Sequence, residues 1–377
     1  MIKILHTGDI HLDSPFSLCD VRKAQIRKNE LRGTFTSLMM YAKMENFDIV
    51  LMSGDIFDTG FATKETMELM KDQFAQNPNC RFIISPGNHD PLNKKSPYRK
   101  VDFPENVYIF SDDDITKFSF NDIGVDVYGW AFTDNVKEQN PLRLGKIQLN
   151  SERVNILCAH ADMMSENSKN CPINENDIAS SGFDYVALGH IHAGGEVKKA
   201  GRTYYAYCGC LEGRSFDECG PKGAIVCKIE TSGGRTDMIF GQKRFSRRRY
   251  EKMDVDVSNA IGTPDILNII RAKITENGLG DDTLLRLRLC GVVSPDLKID
   301  EKQITAEALG LFYVETINDT LPLLNYKELM NDISIKGAFF RELLPKLKSE
   351  DDEERRIASA ALRYGLAALS GDDIIDF

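Results

Sequence analysis

Five of the six histidines in this chain fall in short polar motifs, each closing an apolar run. In order these are Asp9-Ile10-His11, Gly54-Asp55-Ile56-Phe57-Asp58, Gly87-Asn88-His89-Asp90, Ala159-His160 and Gly189-His190-Ile191-His192. Building a core requires no such set, so the fold has to bring these run ends together for a chemical purpose. Histidine, carboxylate and carboxamide supply the nitrogen and oxygen ligands that suit manganese, iron or zinc at a site with open coordination positions.

At 377 residues the chain is long enough for two or three domains. With 42% hydrophobic residues it can bury a large core, which argues against global disorder. No apolar run approaches the roughly 20 residues that span a bilayer. Met1-Ile2-Lys3-Ile4-Leu5 leads straight into the first motif without a cleavable signal pattern, so a cytoplasmic protein with no membrane attachment is expected. Nine cysteines, an odd number set mostly in apolar runs, read as reduced thiols. Cys208-Gly209-Cys210, with Cys219 and Cys227, lacks the paired spacing of a zinc site and reads as strand and turn cysteines.

The net charge of −10 argues against indiscriminate binding to nucleic acid over the whole surface. A local basic groove remains compatible with it, because charges beyond about 10 Å are largely screened at moderate salt. Two basic clusters stand out: Lys94, Lys95, Arg99 and Lys100, then Lys243, Arg244, Arg247, Arg248 and Arg249. Solvated loop charge is the ordinary reading of such runs. The first cluster carries more weight because it follows the Asn88-His89 motif so closely.

Strands are expected over 2–9, 48–53 and 81–85, and helices over 21–46 and about 63–76, where Leu31, Phe35, Leu38 and Met39 share a helical stripe. Strand and helix alternating with short links predict an α/β unit with parallel strands. Short strands follow at 107–110, 116–120, 125–130, 153–159, 184–189, 203–207 and 223–231, which makes a two-sheet sandwich flanked by helices. Each candidate ligand sits where such a strand ends, and in open α/β sheets ligands gather beyond the carboxyl ends of the strands. The basic stretch 243–249 reads as a linker. Beyond it, strands at 253–257, 283–293 and 312–317 and a helix over 264–277 suggest a small α+β domain. A helix over about 326–347 and a second from Ser349 form the tail, with Ile357, Ala361, Tyr364 and Ala368 at helical spacing in a stripe widened by Leu362, Leu366 and Leu369. The expected domains are therefore 1–242, 250–325 and a C-terminal helical segment 326–377.

Asp9 and His11 are two residues apart, and so are His190 and His192; on an extended strand end each pair points to one side. Two such pairs, one bridging carboxylate and a carboxamide can hold two metals about 3.5–4 Å apart. Asp55 is the natural bridge, because one carboxylate can serve both ions. Such a pair lowers the pKa of water from 15.7 to roughly 7 and offsets charge on a phosphoryl group. Phosphate-ester hydrolysis is the reaction this set serves best.

These motifs, over residues 1 to about 230, resemble the calcineurin-like metallophosphoesterase superfamily, whose fold is a four-layer α-β-β-α sandwich. Within it the chain resembles SbcD-type DNA repair exonucleases and their YhaO-like branch. That narrower likeness rests on Gly54-Asp55-Ile56-Phe57-Asp58, Gly87-Asn88-His89-Asp90-Pro91, Leu211-Glu212-Gly213-Arg214 and Pro221-Lys222-Gly223. The resemblance implies one metal on Asp9, His11, Asp55 and His192, and another on Asp55, Asn88, His160 and His190. It leaves His89 unmetallated, to position the phosphate and protonate the leaving oxygen, a general-acid role suited to an imidazole near neutral pKa. Asp58 would orient a ligand or His89, where eukaryotic and archaeal relatives often carry histidine. Tyr207-Cys208-Gly209-Cys210 stands where relatives usually have a proline-glycine turn, a departure on the substrate side. His6 matches no metal position and reads as a packed strand histidine. Asp90 reads as a turn carboxylate or as one that supports a ligand.

The resemblance further implies two divalent ions, Mn²⁺ foremost with Fe, Zn or Mg as substitutes. It implies DNA as substrate, a small capping domain over the site, an SbcC-like coiled-coil ATPase as partner and a homodimer. The helices over 326–369, with their apolar stripe, are candidates for docking on that ATPase. Two other readings compete with the exonuclease, with or without endonuclease activity. One is a phosphodiesterase or phosphatase for small nucleotides or phosphoproteins, though phosphoprotein phosphatases typically place arginine where Thr59 stands. The other is a scaffold subunit with a vestigial site, against which stands the complete ligand set.

Overall fold

A computed structural model describes residues 1–18, 20–145, 147–232, 235–294, 297–307, 310–323 and 326–370. Residues 371–377, part of the segment read as a helical tail, lie outside the described residues. The chain divides into two compact units, Met1–Arg249 and Tyr250–Phe377.

The first unit opens with β1 (Ile2–Thr7), α1 (Val21–Met44), β2 (Ile49–Met52), α2 (Lys64–Ala75), β3 (Arg81–Ile84) and β4 (Val107–Ile109). It continues with β5 (Thr116–Phe120), β6 (Val125–Gly129), α3 (Pro141–Leu144), β7 (Val154–His160), α4 (Glu175–Ser181) and β8 (Tyr185–Gly189). It ends with β9 (Lys198–Ala200), β10 (Thr203–Tyr207), β11 (Gly223–Ser232) and β12 (Arg235–Arg244). Among the described residues these strands form two six-stranded sheets, ordered β12-β11-β1-β2-β3-β4 and β5-β6-β7-β8-β10-β9. β1 to β4 run parallel, as do β6, β7, β8 and β10.

Local sequence accounts for these elements. Asp20 caps α1 by accepting the Lys23 N–H, and Leu31, Phe35, Leu38, Met39 and Ala42 form its buried stripe. Thr63 caps α2 in the same way. All four residues of β2 are buried, as expected for a central parallel strand covered on both faces. In β7, Ile156 and Cys158 face a core shared by both sheets and the helices α1 and α2. Leu157 and Ala159 alternate to a second core with Val186, Leu188 and Ile178 of α4. Two cores separated by a sheet, with helices outside, make the α-β-β-α sandwich.

The two sheets meet closely at the carboxyl ends of their strands. A Cβ on Gly189, the last residue of β8, would lie 2.0 Å from the carbonyl oxygen of Ser53, just past β2. Only glycine permits that approach. His6 is buried in β1 between Tyr185 Oη at 2.8 Å and Ser53 Oγ at 3.1 Å, a packing role.

The second unit contains β13 (Arg249–Asp256), α5 (Thr263–Glu276), β14 (Thr283–Cys290), β15 (Val292–Val293) and α6 (Glu301–Ala306). Then come β16 (Tyr313–Asn318), β17 (Leu321–Pro322), α7 (Tyr326–Asn331), α8 (Ile335–Leu347) and α9 (Asp352–Ser370). A sheet ordered β13-β14-β16 packs Val255, Leu285, Leu287, Leu289 and Val314 against Ile266 and Ile270 of α5.

Several elements differ from the sequence reading. The stretch 243–249 is no free linker: β12 extends to Arg244, β13 starts at Arg249, and the carboxylate of Glu212 accepts the N–H groups of Arg247 and Arg248 at 3.0 Å. Arg248 is also tied to Glu30, and Lys243 lies 5.3 Å from the Tyr41 ring centroid, so much of this basic cluster is engaged in structure. The strand expected over 283–293 breaks at Gly291 (φ 104°). The helix expected over 326–347 is two helices, because Arg341 Nη1 donates to the carbonyls of Met330 and Asp332 and closes the end of α7. In α9 the buried line is Ala358, Leu362 and Leu366, packed with Phe340, whereas Ile357 is exposed. Leu362 and Leu366 of the stripe read from the sequence thus serve internal packing, while Ile357 and Leu369 stay exposed.

Candidate metal centre

The motif residues lie just beyond or at the ends of β1, β2, β3, β7 and β8. They do not converge by simple strand alternation. β1 ends at Thr7, and Asp9 (φ 45°), His11 (φ 49°), Asp55 (φ 51°) and His190 (φ 107°) all have positive φ. Such conformations cost a non-glycine residue about 1–3 kcal/mol each and persist only where surrounding contacts impose them. Here the Asp9, His11 and Leu12 N–H groups donate to the carbonyls of Gly54, Asp55 and Ile56 at 3.0, 3.0 and 2.8 Å. Asp90, fully buried, accepts from the N–H groups of Asp55, Ile56 and Gly87 and from the Tyr98 hydroxyl. It braces two motifs, and of its two sequence readings the supporting one describes these bonds.

This backbone brings all seven candidate ligands into one cluster. Asp55 Oδ2 lies 3.3 Å from His160 Nε2 and 3.8 Å from His11 Nε2, so a single oxygen faces both. Its other oxygen accepts the His89 N–H at 2.9 Å. On one side His11 Nε2 is 3.3 Å from His192 Nε2, and His192 Nε2 is 3.9 Å from Asp9 Oδ1. On the other side His160 Nε2 is 2.9 Å from Asn88 Oδ1, and the His160 and His190 rings lie 5.1 Å apart. His190 and His192 therefore diverge to opposite sides, contrary to the expected parallel pair, because His190 takes a positive φ that breaks the extended spacing.

The donor chemistry fits cations. His11 Nδ1 faces Asp58 Oδ1 at 2.9 Å, His192 Nδ1 faces Glu218 Oε1 at 2.7 Å, and His160 Nδ1 faces the Ser53 carbonyl at 2.9 Å. In each neutral ring Nδ1–H donates outward, which turns the Nε2 lone pair inward. Two inward lone pairs 3.3 Å apart, and a third against a carboxamide oxygen, are acceptor facing acceptor. A cation or a proton has to lie between them.

Burial alone would raise the Asp55 carboxyl, but His160 and His11 hold it well below the usual carboxylate range. Burial raises Asp9 to about 6. Burial would lower His160, yet Asp55 and Asp9 push it up to about 9. The proton and a cation thus compete for the same lone pair, as metal-binding imidazoles require. Burial lowers His11, with Arg214 adding to the effect, and lowers His190 to about 4. His89 differs: its Nδ1 is 2.8 Å from Asp58 Oδ1, its side chain is half-exposed, and the bond to Asp58 raises its pKa above the ordinary value.

Three neighbours escaped the sequence reading as site residues. Glu218 and Arg214 flank His192, and Asp162 Oδ2 lies 3.7 Å from His190 Nε2. Asp162 follows His160 by two residues, a legible signal. Glu218 has none, because only the folding of the loop after β10 brings it to His192.

The calcineurin-like phosphoesterase family matches residues 2–194, which include all seven candidate ligands and His89. The chain is 27% identical over 299 residues to the metallophosphoesterase YhaO of Bacillus subtilis, covering 77% of this chain and 69% of that protein. It is 27% identical over 206 residues to the DNA double-strand break repair protein Mre11 of Saccharolobus solfataricus, 51% of this chain and only half of that protein. The SbcD component of the Escherichia coli nuclease SbcCD is 23% identical over 279 residues, 63% of this chain and 67% of that protein. With two sheets closing on a cluster of inward-facing histidine and aspartate groups, the chain belongs to the calcineurin-like phosphoesterase family.

Proposed function

We propose that this protein is a metal-dependent phosphodiesterase that acts on DNA as an exonuclease, with endonuclease cleavage as an accompanying activity. One observation carries the reading: Asp55 Oδ2 faces two groups of inward-turned ligands, one on each side. Asp9, His11, Asp55 and His192 would hold one cation, and Asp55, Asn88, His160 and His190 the other, with Mn²⁺ as the metal. When bound, such a pair supplies Lewis acidity toward water and phosphoryl oxygen. The protein's own contribution begins with His89. Asp58 occupies its Nδ1, so Nε2 presents the proton to the leaving oxygen. The same Asp58 oxygen fixes His11, so ligand and acid share one support.

DNA as substrate is supported by the names of two relatives, a DNA double-strand break repair protein and a component of a nuclease. The name of the first supports a role in DNA repair, and an SbcC-like coiled-coil ATPase as partner and a homodimer belong to the same proposal. Among the described residues no helix is long and apolar enough to cross a membrane, and a cytoplasmic location is proposed with the function.

The test compares turnover of linear duplex DNA, a cyclic dinucleotide and a phosphopeptide in Mn²⁺. DNA is expected to be cleaved fastest, and faster turnover of either small substrate overturns the nuclease reading. His89→Ala should keep Mn²⁺ binding while turnover falls by about 100- to 10,000-fold, the usual worth of a general acid. Wild-type turnover in that variant removes His89 from the mechanism.

A further inference from the structure

The loop after β10 sets a guanidinium beside the candidate centre, and the chemistry above gives it no task. Arg214 Nη2 lies 3.2 Å from Nδ1 and 3.5 Å from Nε2 of His192, alongside the ring. Glu218 holds both groups. Its Oε1 accepts from Arg214 Nη2 at 3.0 Å and from His192 Nδ1 at 2.7 Å, and its Oε2 accepts the Arg214 backbone N–H at 2.7 Å. His192 Nε2 lies 3.3 Å from His11 Nε2, and the His11 and His89 rings are 5.0 Å apart, so Arg214 stands beside the part of the cluster that leads to His89.

Orienting His192 needs Glu218 alone. A fixed cation next to a place where divalent cations gather opposes their binding, since like charges repel most strongly where water is excluded. That opposition is offset when an anion arrives between them. The loop is also rigid by construction. Glu212, two residues earlier and fully buried, accepts from both Nη atoms of Arg27, from Thr34 Oγ1 and from the N–H groups of Arg247 and Arg248. A guanidinium held this firmly is preorganised for a planar oxyanion face.

We infer that Arg214 binds non-bridging oxygens of the scissile phosphate, and that Glu218 is the positioning residue that fixes both Arg214 and His192. The inference rests on the phosphoester reading but not on DNA as the substrate. A lysine at this position keeps the charge and loses the fork, so it would replace Arg214 only in part.

The test uses the full chain and two probes, Mn²⁺ alone and inorganic phosphate. Mn²⁺ affinity is read by calorimetry without substrate. Phosphate affinity is read as inhibition of bis(4-nitrophenyl) phosphate hydrolysis by the Mn²⁺-loaded protein. Arg214→Gln is expected to weaken phosphate by about ten-fold or more, the worth of a charged hydrogen bond, with Mn²⁺ affinity unchanged or tighter. Glu218→Gln is expected to weaken both. If Arg214→Gln leaves phosphate affinity unchanged, or loses Mn²⁺ and phosphate in parallel, the inference is overturned and Arg214 is a support for His192. Should that variant not fold, Arg214→Lys decides. Weaker phosphate at equal Mn²⁺ affinity supports the inference, and unchanged phosphate affinity overturns it. Failure of the wild type on DNA would sink the nuclease reading and leave this measurement intact, because the small ester bears no nucleotide.

Discussion

The unit up to Arg249 and the unit from Tyr250 onward bury different things. The first buries Asp9, His11, Arg27, Asp55, Asp90, His160 and Glu212, and it holds every non-glycine residue with positive φ among the described residues. The polar side chains buried in the second, among the described residues, are three threonines: Thr283, Thr316 and Thr320. Its core is otherwise mainly Leu, Ile and Val, with Tyr250, Ala260, Phe340 and Ala358. Buried charge and left-handed backbone both oppose folding. A chain tolerates them where chemistry needs preorganised polar groups, so their concentration in one unit marks where the chemistry is.

The sharpest way to break this contrast is to remove one partner of the buried charge network. Glu212→Ala leaves the buried Arg27 with Glu30 as its remaining carboxylate and takes away the acceptor of Thr34 and of the Arg247 and Arg248 N–H groups, and the loss should be about 3–5 kcal/mol, the cost of breaking a buried charge network. Urea unfolding followed by circular dichroism measures it, and a loss under about 1 kcal/mol would mean the network is hydrated rather than buried. In the second unit Leu287→Ala, at a fully buried position, should cost about 2–5 kcal/mol through its cavity. Mn²⁺ affinity should stay at the wild-type value, and a parallel loss of metal binding would contradict the separation of the two units.

A finer test concerns pH. Asp58 raises His89, so the protonated acid survives to higher pH and the rate falls as pH rises through that raised value. Asp58→Asn removes the charge, lowers His89, and should move the alkaline limb of kcat toward lower pH. An unmoved limb would show that His89 is not the group titrating there. Mn²⁺ affinity measured beside it separates this effect from any loss at His11.

How much of this was legible in the sequence varies from group to group. Apolar runs ending in Asp, His and Asn predicted both the sheets and their ligand-bearing ends, because period-two burial and glycine-led turns are local properties. Asp55 was offered by the second of the ordered motifs, and its Oδ2 lies near both His160 and His11. The tail helices were readable as helices and their apolar stripe as a broad one, but not which part of it is buried: Leu362 and Leu366 meet Phe340, whereas Ile357 is exposed. Nor could the spacing of Asp9 and His11 reveal that both adopt left-handed backbone. That conformation is imposed by the hydrogen bonds from the Asp55 loop.

The amino-acid order alone determined which residues are offered to the centre and at which strand ends, because ligand type and strand period are written residue by residue. Only the tertiary structure decided which side of Asp55 each histidine takes, and that Glu218 and Arg214 stand behind His192. Those relations join distant segments, such as the His190 N–H and Asp9, which are 181 residues apart. They depend on how two sheets close on each other, which no local spacing encodes.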